Sequence, residues 1–166
     1  MSPIGIVHTS FAVIALAAGL AIFTVTKCTT LHRVIGYIYV GSMLSLNLTA
    51  LTIYRLFGGF GPFHALAIMS LITLGAGFLP AFTKRPQRAW LYRHYEWISW
   101  SYVGLVAAAA SEFLTRAPFI DQSGTAFAAA VVVASALVVF VGASIIYRKR
   151  QTVVSQVLAR LRARPS

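Results

Sequence analysis

Carboxylates are what this chain has least of. Among 166 residues there are three, Glu96, Glu112 and Asp121, against 14 lysines and arginines, for a net charge of +11. Charged residues make up 10% of the chain, where a soluble domain carries about 25%, so water is excluded as the medium for most of its surface. Cysteine is nearly absent as well: Cys28 stands alone, which rules out an intramolecular disulfide. Lys27, Lys84 and Lys149 all lie between or beyond the apolar runs, which excludes an intramembrane Schiff-base lysine. There is no phosphate-binding glycine loop, no serine–histidine–acid arrangement and no zinc-protease motif.

What is present is apolar sequence, 58% of the chain. A hydrocarbon layer of about 30 Å needs about 20 apolar residues at ~1.5 Å each. Five runs meet that length, near residues 4–26, 34–57, 63–82, 90–114 and 125–147. The first lacks a basic leader and is too long for a signal peptide, so it reads as a retained helix. None alternates with the period of two that a barrel strand requires. The expectation is an all-α integral membrane protein of five transmembrane helices, a four-helix core plus a fifth helix. One transmembrane domain would cover residues 1–147, followed by a basic tail over 148–166.

Lysine and arginine set the orientation. With five crossings, Lys27, Arg33, Lys84, Arg85, Arg88, Arg93 and the tail cations fall on one side, whereas Arg55 and Arg116 fall on the other. The positive-inside rule then places the N-terminus outside and the C-terminus in the cytoplasm, in a bacterial inner membrane. Charge held this close to the bilayer points to anionic lipid headgroups as partner and not to nucleic acid. In the tail, Val153, Val157 and Leu161 recur at steps of four with Val154 and Leu158 beside them, the pattern of an amphipathic helix on the inner surface. Asn47, in mid-span, is expected to bond a neighbouring helix.

The four histidines, His8, His32, His64 and His94, each sit near the start of one of the first four runs. Because successive helices run in opposite directions, His8 and His64 share the outer leaflet, and His32 and His94 share the inner one. Ionisable groups inside spans are costly and mark function. Two histidines supply both axial positions of a haem iron, whereas zinc takes three or four protein ligands and copper needs further soft or nitrogen donors. Gly36, one turn beyond His32, leaves space beside a flat ring. Arg33 and Arg93, each next to a histidine, suit propionate carboxylates, and equally suit plain topology anchors. Up to two haems b are therefore the expected cofactors, with a copper or zinc ion as the alternative.

The segments "LHRVIGYIYVGSMLSLNLTAL", "GGFGPFHALAI" and "YRHYEWISWSYVGLVAAAASEFLTR" resemble a bacterial family of multi-pass membrane proteins labelled as a domain of unknown function, over residues 8–116. The His32-Arg33-x-x-Gly36-Tyr37 segment is the most specific part. A second, weaker similarity is to transmembrane dihaem cytochromes b, where alternate helices of a four-helix core carry two bis-histidine haems. That resemblance implies His8 with His64 and His32 with His94 as axial pairs. The histidines here lie closer to the helix ends than ligands in that superfamily. The expected function is electron transfer between a quinol or soluble reductant and an acceptor such as a respiratory-chain protein. The alternative is a non-redox protein that binds a metal ion or assists respiratory-complex assembly through the same histidines.

Overall fold

The computed structural model describes residues 2–53, 58–86, 89–115 and 125–162. It contains five α-helices, α1 (Pro3–Thr24), α2 (Thr30–Ala50), α3 (Pro62–Thr83), α4 (Trp90–Thr115) and α5 (Thr125–Arg162), and no strand among the described residues. Local chemistry sets several ends. Pro3 opens α1 behind Ser2, whose hydroxyl accepts from the Gly5 amide at 3.3 Å. Thr29 caps α2 by accepting from the His32 amide at 3.1 Å. Lys84, at φ 57°, ends α3 in the left-handed region.

Backbone packing joins α1 to α2 and α4, α2 to α3, and α3 to α4, while α5 packs on α4. One cluster of buried apolar residues comprises Ala15, Ala18 and Ile22 of α1, Tyr39, Met43 and Leu46 of α2, Leu74 of α3 and Leu105 of α4. Tyr39 is buried there with its hydroxyl 2.7 Å from Ser101 Oγ of α4. Asn47 donates to Met43 O and, across to α3, to Ser70 Oγ at 3.1 Å, the interhelical bond expected of it.

Three helices, α1, α3 and α5, are long and apolar enough to cross a membrane by length and composition. The five runs read from sequence thus yield five helices, but α2 and α4 lack the long apolar window that α1, α3 and α5 each contain. Their polar groups face inward: Ser42, Asn47, Ser99, Ser101 and Ser111 are all buried. Much of the apolar surface points the other way, as Val13, Leu20, Ile72, Val132 and Phe140 are exposed, which suits contact with lipid.

The largest departure from expectation is the tail. It continues α5 without a break, giving 38 residues of helix, about 57 Å at 1.5 Å per residue. Part of its apolar stripe packs on protein: Val154 and Val157 are buried against Leu91, with Trp90, Tyr92, Tyr95 and Cys28 around them, whereas Leu158 and Leu161 are exposed. Arg148, Lys149 and Arg150 mark a change of polarity without interrupting the helix.

Close approach at Gly19 explains one glycine. A Cβ there would run into the ring of Tyr102 and lie 3.1 Å from Tyr39 Cε2. Tyr102 is itself tied to Leu16 O at 3.3 Å, so its ring has little room to retreat. Gly19→Ala should lower stability by about 1–3 kcal/mol through overpacking, measurable as a drop in the thermal midpoint of the detergent-solubilised protein.

Candidate functional site

His32 lies in the first turn of α2 and His94 in the second turn of α4. These helices share no backbone contact among the described residues, yet the two imidazoles meet across the interior, with ring centroids 6.4 Å apart and planes at 88°. That separation is too long for a direct hydrogen bond between the rings and leaves a gap between them.

The protonation pattern follows from the partners. His94 Nδ1 lies 2.9 Å from the Gly77 carbonyl oxygen of α3. A carbonyl only accepts, so Nδ1 carries the proton and Nε2 presents its lone pair. Gly77 makes that bond reachable: a Cβ on it would sit 2.7 Å from the Ile98 backbone nitrogen, so α3 approaches α4 there because the side chain is missing. His32 Nδ1 is buried and has no hydrogen-bond partner among the described residues. A buried nitrogen left without a partner costs about 1–3 kcal/mol.

Both rings line a cavity of about 450 Å3, inside the range of roughly 300–1,000 Å3 typical of small-molecule and cofactor pockets. Its walls are apolar and aromatic, with Phe23, Tyr37, Phe78, Phe82, Trp90 and Tyr95 among them. Gly36 forms part of the wall, and a Cβ there would meet nothing within 4 Å. Val153, Val154, Val157 and Leu161 of the α5 extension close one side.

Three cations line the same cavity: Lys27, Arg33 and Lys84. Lys27 Nζ donates to Ile22 O and Val25 O, which caps the C-terminal end of α1 and leaves one of its three donors to spare. Burial lowers the pKa of this ammonium from its ordinary value. Lys84 Nζ sits 4.1 Å from the ring centroid of Trp90, a cation–π contact. The net arrangement is an apolar chamber with two imidazoles inside and cations on its wall.

Arg93 does not line this cavity. Adjacent residues on a helix point about 100° apart, so with His94 turned inward Arg93 is exposed and lines a separate open groove against α3. Lys27 and Lys84, whose proximity in space no helix periodicity reveals, stand nearer the histidine pair as cavity walls. Glu96 is likewise turned away and pairs with Arg150 of α5 at 3.3 Å, while the Arg150 guanidinium lies 5.3 Å from the ring centroid of Tyr92.

His8 and His64 have separate partners. His8 Nδ1 is 3.0 Å from Thr49 Oγ1 of α2. That hydroxyl spends its proton on the carbonyls of Ser45 or Leu46, so it accepts from His8. His64 is buried, accepts at Nδ1 from the Gly61 amide at 3.1 Å at the N-terminus of its own helix, and stacks on Phe60 with centroids 5.1 Å apart. Arg55, Arg88 and Arg116, counted above in the charge bias, lie outside the described residues.

Among the described residues no three or more His, Cys, Asp or Glu side chains converge as metal ligands. The inner site offers two nitrogens, fewer than the three or four protein ligands of a zinc centre.

No curated protein and no solved structure matches the chain, so the similarity to dihaem cytochromes b gains nothing from these comparisons. A family described as "Predicted membrane protein (DUF2306)", of unknown function, matches residues 5–147, nearly the whole helical part. The chain belongs to this DUF2306 family of membrane proteins.

Proposed function

We propose that this protein is a small membrane electron carrier that binds one b-type haem between His32 and His94. The observation that carries the reading is the meeting of two imidazoles, 6.4 Å apart, inside an apolar cavity walled by cations. A haem with imidazole on both axial positions passes single electrons and leaves no position open for a substrate.

The residues present fit that group. Gly77 O fixes the His94 ring and its tautomer, the outer-shell support that ligating histidines usually have. His32 Nδ1 is itself buried and has no hydrogen-bond partner among the described residues. The open space beside Gly36 admits a flat body, and aromatic side chains line it. Arg33, Lys84 and the remaining donor of Lys27 are available for two carboxylates. The two-nitrogen donor set suits haem better than zinc or copper, which is why the metal-ion reading is set aside.

In this proposal all five helices span the bilayer, α1 to α4 forming the core and α5 flanking α4. The positive-inside bias puts the N-terminus outside and the His32–His94 cavity on the cytoplasmic side of a bacterial inner membrane. A quinol or a respiratory-chain protein is the class of redox partner such a carrier serves. We assign one haem and not two, because ring juxtaposition and cavity coincide at the inner pair.

Haem content tests this directly. Protein purified in detergent from haem-replete cells should carry one haem per chain by the pyridine haemochrome assay. None would overturn the proposal, and two would bring His8 and His64 into the ligand set.

A further inference from the structure

We propose that the groove between α3 and α4 is a binding site for one anionic phospholipid, with Arg93 holding its phosphate. This inference does not rest on the haem assignment.

The groove has a volume of about 460 Å3 and is lined by Gly75, Ala76, Leu79, Pro80, Arg93 and Trp97. It is open because α3 offers little side chain there; a Cβ on Gly75 would meet nothing within 4 Å. Pro80, near the end of α3, has no amide proton for the helix ladder, and its ring adds to the apolar wall. Arg93 stands in the first turn of α4, beside the connection that carries Lys84 and Arg85. Trp97, one turn on and 39% exposed, has the amphipathic ring characteristic of the membrane–water interface.

Charge identifies the occupant. The Arg93 guanidinium has no ion pair or hydrogen bond among the described residues. The one acidic residue near it in sequence, Glu96, is taken by Arg150 from α5. Among the described residues nothing therefore neutralises Arg93, and in a membrane-embedded chain the groove would open toward lipid. A phosphate on Arg93 with an acyl chain along Ala76 and Leu79 satisfies both the cation and the apolar wall. A zwitterionic lipid supplies the chain but cancels much of the charge.

Trp97 is the reporter. The full chain is reconstituted in phosphatidylcholine vesicles containing an equal mole fraction of either brominated phosphatidylglycerol or brominated phosphatidylcholine. The Trp97 contribution is the difference between the native protein and Trp97→Phe. The anionic quencher should be enriched at Trp97 about fivefold over the zwitterionic one, the equivalent of one cation near an anionic lipid at ~1 kcal/mol. Arg93→Gln should abolish the preference. Gly75→Leu, whose added atoms enter open space, should abolish it with the charge retained and serves if Arg93→Gln fails to fold. Equal quenching of the native protein by both lipids would overturn the site. So would a preference that survives Gly75→Leu but falls with Arg148→Gln, since that result describes general attraction to a basic protein.

Discussion

Replacing His94 with alanine is expected to lower bound haem at least tenfold while leaving the helices folded. Loss of a mere outer-shell partner usually costs roughly 10–100-fold in metal affinity, and a ligand is worth more. His94 also gives up its bond to Gly77 O, but α3 and α4 remain joined by the close packing of Gly77 on Ile98. His32→Ala should behave alike, because one axial nitrogen cannot hold the group in a chamber built for two. The double variant should be no worse than either single one, as both remove the same bridge. His8→Ala should retain its haem, since that ring is bonded to Thr49 and not to the inner cavity. Haem-to-protein ratio and helical circular dichroism on the four proteins measure all of this together. Retention of haem in both inner-pair variants would show that the ligands lie elsewhere.

The second large effect concerns the far end of α5. Val154 is 1% exposed, packed against Leu91, and forms part of the cavity wall. Val154→Asp places a carboxylate in that apolar contact, at a cost of at least ~3 kcal/mol for an unpaired buried charge. The extension should swing away from α4, and trypsin should cut at Arg148, Lys149 and Arg150 about 100-fold faster, following ~1.4 kcal/mol per decade. Haem should be lost in parallel, because the same residues close the chamber. The outcome separates two roles for the tail. If residues 148–162 simply lay on lipid, Val154→Asp would weaken attachment to vesicles and leave haem content unchanged. The Arg150–Glu96 pair, at the partly exposed surface, contributes little by comparison, about 0–1 kcal/mol.

Much of this protein was legible from its residues, for reasons that are physical. Uninterrupted apolar runs located all five helices, since only a helix satisfies its own backbone in a setting this apolar. The helix starts were read less well than the runs, because caps act through polar residues. Thr29 and Thr30 start α2 four residues ahead of its apolar run, and α2 stops at Ala50 although apolar residues continue beyond it. The tail is harder to read for the opposite reason. Arginines at 148 and 150 resemble a membrane boundary, and their amphipathic pattern is equally that of a helix packed on protein. Only the positions of Leu91 and Trp90 decide between the two.

The site shows the same division. Alternating helix direction was enough to bring His32 and His94 to one end, and their rings do meet. The direction rule assigns a leaflet but not a bearing around the helix axis. That is why it equally paired His8 with His64, which take Thr49 and Gly61 as partners. It is also why Arg93 was grouped with His94 although they face different surfaces. Lys84 and the tail valines were missed because they reach the cavity from segments distant in sequence. The glycines carry a usable signal in retrospect: Gly36 opens onto the cavity and Gly77 admits a close backbone, two different reasons for one residue type.

The most direct test of the central claim is the absorption spectrum of the purified native protein, oxidised and then reduced with dithionite. The account predicts a six-coordinate, low-spin haem: a Soret band that sharpens on reduction, with narrow α and β bands, absent from the His32→Ala and His94→Ala proteins. A colourless protein from haem-replete cells, or an unchanged spectrum in both variants, would contradict it.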